Sequence, residues 1–188
     1  MAETLGESGA TGLRAKWYHL GEALYNNVIT FVPSHNLRTG VLRLFGATIG
    51  RNCSFMRGTT VAGIESLVVG DDVVVAFRCV LDARGGLTIG SNVIISSDVH
   101  FVPGHHDIND PEFRGYVFPT VVEPYSWIAV RCTIIAPVHI GQGAVVSACS
   151  LVRDDIPEMG VVAGSPAKSI GTRTGELAYR TVYRPLFH

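Results

Sequence analysis

The chain has 188 residues, 47% of them apolar and 16% charged, which is material for one well-packed domain with short appendages. Its 15 basic and 16 acidic residues leave a net charge of −1 with no run of like charge, which speaks against nucleic acid or an anionic membrane surface as a partner. Four cysteines, Cys53, Cys79, Cys132 and Cys149, show neither close pairing nor CxxC spacing, so neither a disulfide framework nor a zinc knuckle is expected.

The first residues, "MAETLGESGATG", lack the basic-then-apolar pattern of a signal peptide, and no apolar stretch approaches the length of a membrane span. A cytoplasmic protein is the expectation, and the sequon-like Asn52-Cys53-Ser54 then reads as chance. Next, "LRAKWYHLGEALYNNVITFV" sets Leu13, Trp17, Leu20, Leu24, Val28 and Phe31 at helical spacing. Pro33 ends that helix, Ser34 is placed to cap a second one running to about Phe45, and Gly46 stops it. Residues 1–47 thus read as a flexible N-terminus and a helical pair that covers one open end of a repetitive body beginning at residue 48. The polar face is not rich in Lys or Arg, which argues against a membrane-surface helix.

From residue 48 a beat of six takes over. Ile49, Phe55 and Val61 lead, then Val69, Val75 and Leu81 after a two-residue slip, then Ile89 and Ile95 after another. Further on, Val122, Ile128, Ile134, Ile140, Val146 and Val152 keep the period without a break. Four places after each lead stands a mostly small residue, among them Cys53, Thr59, Cys79, Ser126, Cys132, Ala144 and Ser150. "IGRN", "VGDD", "IGSN" and "IGQG" recur where a tight turn needs Gly or Asn. A period of six fits neither a helix nor a sandwich strand. It fits an all-β solenoid of short strands and corners, three per coil, with the aliphatic side chain inside. Fourteen such hexads make between four and five coils stacked roughly 4.8 Å apart. Three of the cysteines fall on the small inward position and read as buried hydrophobes.

The beat stops once, in "VHFVPGHHDINDPEFRG", and the excursion of about residues 101–120 carries His105, His106 and Asp107. Long loops in compact domains tend to be functional. The solenoid resumes to residue 171, and a tail of residues 172–188 without the beat is expected to pack outside the coil or to reach a neighbouring subunit.

The run "WIAVRCTIIAPVHIGQGAVVSACSLVRDDIPEMGVVAGSPAKSIGTR" resembles the closing segment of hexapeptide-repeat acetyltransferases, with "AGSPAK" after "DIP" as its most specific part. The likeness spans about residues 41–173 and is nearest to O-acetyltransferases of the colanic-acid-biosynthesis and maltose/galactoside type. It implies a left-handed parallel β-helix and a homotrimer. It also implies acetyl-CoA in a groove between neighbouring coils, with a loop histidine as base reaching the adjacent subunit. The colanic-acid-type register selects His106, which precedes Asp107, while the shorter maltose-type motif would select His105. An imidazole suits the task, since a sugar hydroxyl needs a base to attack a thioester at neutral pH. Asp107 or another carboxylate would fix its tautomer. The resemblance further implies an oxyanion donor at the Val130 N–H, an acyl or pantetheine path along Trp127, and a pantetheine contact at Ala148. Phosphate contacts would come from Lys168 with Arg153 or Arg173.

Three departures bear on the acceptor and the coenzyme. "APVHIG" puts His139 where the family has Thr, "RDD" (Arg153, Asp154, Asp155) replaces "TKD", and Ala76 stands at the sugar-contacting asparagine of galactoside-type enzymes. The expected acceptor is a hydroxyl of a polysaccharide, glycolipid or small glycoside, with an amino sugar second. Two other readings share the architecture. A zinc enzyme of the γ-carbonic-anhydrase kind would use His100 and His105, but lacks a histidine between His35 and His100. A non-catalytic scaffold would need neither "HHD" nor "SPAK". No metal is expected.

Overall fold

A computed structural model describes the strand Glu3–Thr4 and residues 12–185. The remaining residues expected to form the N-terminal stretch, and the last three of the tail, lie outside the described residues. The solenoid is present and has three faces, each a parallel sheet. Face one stacks Thr48–Ile49, Leu67–Val69, Leu87–Ile89, Thr120–Val122 and Val138–Ile140. Face two stacks Ser54–Phe55, Val74–Val75, Ile94–Ile95, Trp127–Ile128, Val145–Val146 and Gly160–Gly164. Face three stacks Thr60–Ala62, Val80–Asp82, His100–Val102, Thr133–Ile135 and Leu151–Val152.

Every lead residue of the beat is buried, from Ile49 to Val152, and so are the small residues four places on. Stacking brings like upon like, so each coil presents the next with an aliphatic floor of the same shape. Cys53, Cys79 and Cys132 are buried as expected, and burial pushes their thiols up, Cys79 to about 12. Cys149 is exposed.

The coil is longer than the expected four to five turns. Phe101 and Val162 also occupy inward lead positions, and Ile156 bridges Ile140, giving five complete turns and part of a sixth. Counting hexads in the sequence misses them because the beat is cut short beside each: Phe101 opens the excursion, and "DDIPEMG" bends the chain before Val162. The antiparallel strand Ala167–Thr172 then folds back on Gly160–Gly164 at the end of the coil.

The corners explain the turn motifs. Between faces one and two the left-handed backbone is taken by Asn52, Asp72, Asn92, Tyr125, Gly143 and Met159. Asn52, Asp72, Asn92 and Gly143 are the last residues of the four recurring motifs, and Asn, Asp and Gly are the types that tolerate this conformation at least cost. The two-residue slips stack at one corner, between faces three and one, and the excursion leaves from that same corner.

The helical pair forms as α1 (Leu13–Asn27) and α2 (His35–Leu44), with the Ser34 hydroxyl accepting from Leu37 N–H at 3.3 Å. The face of α1 that packs is not its apolar row. Tyr18, Gly21 and Tyr25 face the coil, while Leu13, Trp17, Leu20, Leu24, Val28 and Phe31 are all exposed. The reason lies in what α1 meets. The first coil presents unpaired backbone groups, so α1 turns polar side chains to it. Asn26 bonds both the N–H and the C=O of Val61, and Glu22 accepts from Gly63 N–H at 2.7 Å.

The tail packs on the outside of its own coil and runs down the corner of left-handed residues. Arg173 donates to the carbonyls of Tyr125 and Gly143, and the Tyr179 hydroxyl donates to Tyr125 O. Arg180 clamps Asp72 with bonds of 2.7 and 2.9 Å, Thr181 bonds the Asp72 carbonyl, and the Pro185 carbonyl meets His35 Nε2 at 3.0 Å. The far end of the chain is thereby tied to the second coil and to α2.

This strap has an acid signature. The Arg180 guanidinium, then the Asn52 amide, holds the Asp72 carboxyl below the usual carboxylate range. A carboxylate depressed in the folded state stabilises fully above roughly pH 4 and loses that contribution as pH falls through its folded value. Asp72→Asn should therefore lower Tm by a few degrees at neutral pH and flatten the acid limb of the Tm-against-pH curve. A variant with wild-type Tm and wild-type acid slope would contradict the strap.

Candidate active site

The excursion is a hairpin rather than an irregular loop. Gly104–His106 pairs antiparallel with Gly115–Val117, placing His105 opposite Tyr116 and His106 opposite Gly115. Gly104 is required there, because a Cβ would collide with the Tyr116 carbonyl across the pair. The tip is stiffened locally: Asp107 Oδ1 accepts from Asn109 N–H, Asp110 Oδ1 accepts from Glu112 N–H, and Arg114 grips Asp110 at 2.6 Å. Arg114 holds the Asp110 carboxyl below its ordinary range. The pair is exposed and counts for geometry more than for stability.

That turn puts Phe113 in the left-handed region, φ 49, and aims its carbonyl at His106 Nδ1, 2.7 Å away. A carbonyl only accepts, so Nδ1 carries the proton and the neutral ring keeps its lone pair on Nε2. The Phe113 ring stacks on the same imidazole at 4.5 Å and 10°. Asp107, the expected orienting group, spends its carboxylate on the turn instead; the carbonyl two residues beyond "DP" takes that part. No motif search would find it, since a backbone carbonyl has no residue type. His105 stacks on Phe118 at 5.3 Å, and among the described residues its ring makes no hydrogen bond. Both histidines, with Asp107, Ile108, Tyr116 and Phe118, line an open recess of about 500 Å³.

The other site candidates lie elsewhere on the prism. Trp127 is half exposed on face two, its indole N–H bonded to Ser96 Oγ at 3.2 Å, between Ile94 and Val145 in register. Val130 and Ala148 stand at the corner between faces two and three on successive coils, joined through Cys149 N–H to Val130 O. The ladder uses the N–H groups of Ala129, Arg131 and Cys149 but, among the described residues, not those of Val130 or Ala148. Two backbone donors on exposed residues of this edge are thus left outside the ladder. Arg153 and Lys168 meet at the terminal coil around a recess of about 170 Å³, where Lys168 lies 3.6 Å from Asp154. Arg173 is not with them; its donors are spent on the tail corner. His139, at the departure from the family pattern, pairs with Glu123 at 3.1 Å. Among the described residues no three His, Cys, Asp or Glu side chains converge to hold a metal ion.

The histidine hairpin leaves the corner opposite face two. One chain therefore presents the histidine pair on one edge and the apolar wall that carries Trp127 on the far side, and does not bring the two together.

No family model matches the chain. It is 33% identical over 136 residues to the protein of Escherichia coli K12 named colanic acid biosynthesis acetyltransferase WcaF, covering 72% of this chain and 75% of that one. Among solved structures, a maltose O-acetyltransferase of Clostridium difficile 630 superposes with a TM-score of 0.65 at 22% identity, over 88% of this chain and 90% of that one. The hexapeptide-repeat acetyltransferase VCA0836 of Vibrio cholerae, solved with acetyl coenzyme A, gives 0.59 at 20% identity over 89% and 93%. The two structures establish the shared fold, and the E. coli relative establishes kinship. The chain belongs to the hexapeptide-repeat acetyltransferases.

The tautomer is directly measurable. In a long-range ¹H–¹⁵N spectrum at a pH where His106 is neutral, Nδ1 should carry the proton and Nε2 should be bare. A ring protonated mainly on Nε2 would contradict the Phe113 contact.

Proposed function

We propose that the protein transfers the acetyl group of acetyl-CoA to a hydroxyl of a sugar or glycoconjugate, with His106 as general base, in a homotrimer. The observation that carries this reading is the lock of His106 Nδ1 on the Phe113 carbonyl, which leaves Nε2 as the acceptor. His106 is favoured over His105 on that ground.

The chemistry follows from these atoms. Nε2 takes the hydroxyl proton as the oxygen attacks the thioester carbonyl carbon. The resulting oxyanion needs a donor already aimed at it, and the unspent Val130 N–H is suited to that task. Collapse breaks the C–S bond, and the coenzyme thiolate leaves with the proton that Nε2 holds. Trp127 and the Ala148 N–H would line the path of the pantetheine arm. Lys168 would meet phosphate, and to do so must exchange its pairing with Asp154, a cost the family's lysine-bearing "TKD" would not incur in the same way. Because hairpin and wall sit on opposite sides of one prism, the hairpin of one copy would face the wall of the next.

The test is coenzyme-thiol release from acetyl-CoA over a panel of sugar and amino-sugar acceptors. His106→Ala should lower kcat by roughly 100- to 10,000-fold, the range for loss of a general base, with KM for acetyl-CoA little changed. His105→Ala should cost far less. Wild-type turnover by His106→Ala would reject the assignment, and the reverse pattern would move the base to His105.

A further inference from the structure

We infer that α1 is a docking surface for an anionic lipid surface, on which the protein lies without crossing it. Leu13, Trp17, Leu20, Leu24, Val28 and Phe31 are between 38% and 86% exposed. On α1 itself Leu13, Trp17, Leu20 and Leu24 form one row at steps of three and four residues, with the Trp17 ring also resting on Phe45 at 4.5 Å, and Val28 at the C-cap and Phe31 in the following 3-10 turn add exposed apolar surface at its end. Asn27 sits exposed at the edge of that face with its amide donating to the Ala23 carbonyl, and the other polar residues of α1 lie off it. Glu22 and Asn26 are turned inward and bonded to Gly63 and Val61 of the first coil. α1 is thus amphipathic with its apolar side out. No helix of the described residues is long and apolar enough to span a bilayer.

Charge selects the occupant. At about 100° per residue, Arg14 and Lys16 fall on the two flanks of the stripe. Both are exposed, and Arg14 is held over Tyr18 by a bond of 2.6 Å to its hydroxyl. The one acidic side chain of α1, Glu22, is spent on the coil. Two cations flanking an apolar row, with no free acid among them, fit anionic headgroups, into which basic side chains reach while the apolar row enters the acyl boundary. Sequence alone argues the other way, because an apolar stripe is ordinarily the face that packs and the polar face is poor in Lys and Arg; that polar face is the one bonded to the coil, so only the stripe and its two flanking cations meet solvent. Once the coil's polar end claims the opposite side, the apolar face is left to solvent. α1 also meets the coil at the corner from which the histidine hairpin leaves two turns later, roughly 10 Å along the axis.

The test is co-sedimentation of the full chain with vesicles of phosphatidylcholine alone or in an equal mixture with phosphatidylglycerol. Leu20→Glu/Leu24→Glu and Lys16→Glu serve as variants, and Tm and acetyl transfer to a soluble acceptor are followed in parallel. Wild type should bind the mixed vesicles more strongly than the neutral ones. The double variant should lose roughly tenfold or more of that partitioning, and Lys16→Glu should lose the preference for phosphatidylglycerol, with Tm and soluble activity retained. If the double variant does not fold, Lys16→Glu decides alone. The inference is overturned if wild type stays in the supernatant of both vesicles, or if the variants sediment like wild type. It is overturned too if the substitutions change the oligomeric state and not the partitioning, which would make the stripe a contact between copies. Because vesicle binding and acetyl transfer are read separately, failure of one does not count against the other.

Discussion

The backbone ladder that joins each coil to the next is the constraint on which the rest of this molecule depends. Val69, Ile89, Val122 and Ile140 carry it on face one, each coil donating to the carbonyls of the next. It closes only if every coil has the same outline, and a common outline needs a β-branched or similarly sized side chain at each inward lead. Cutting one such residue to Ala in a core costs about 2–5 kcal/mol, so the walls have little freedom to hold a reactive group inside. Outward positions are flat and solvated. Chemistry that needs a polar side chain above a surface has to come from chain that leaves the ladder.

Two consequences arise from that geometry. The excursion exits at the corner where each of the earlier coils already carries two extra residues, the one edge where the outline tolerates additional chain. It returns through Thr120 onto Gly86 O, in register. The ladder also has two ends with unpaired polar groups. α1 and α2 cover the first with Asn26, Glu22 and Arg43, and the strand Ala167–Thr172 folds over the last. The tail then links the later coils to the second through Arg173 and Arg180 and reaches α2 through the Pro185 carbonyl. The outward apolar stripe of α1 is a by-product of covering a polar end, and it leaves a surface available for another use.

The walls were legible in the sequence because period, residue size and burial are set by the same inward position. Where the beat was cut beside Phe101 and Val162, the count fell short although the side chains obey the rule. Helical spacing correctly grouped Leu13 with Trp17, Leu20 and Leu24, yet spacing says which residues share a face and nothing of what covers it; the polar end of the coil decided that. The pairing of Arg180 with Asp72 joins residues 108 apart and depends on the tail's path, which carries no periodic signal. The hairpin residues were found as the break in the beat. The group that orients His106 was not, since the acceptor is a carbonyl placed by the left-handed turn at Phe113 rather than the neighbouring Asp107.

The central claim is that the base of one copy works against the wall of another. Subunit complementation tests it: His106→Ala, lacking the base, is refolded together with Ala148→Trp, whose exposed wall is blocked. Each variant alone should be inactive. Over randomly assorted trimers an intact hairpin meets an intact wall at about a quarter of all interfaces, so about that share of wild-type activity should return. Mixed oligomers that form and stay inactive would contradict the account and place base and wall within a single chain.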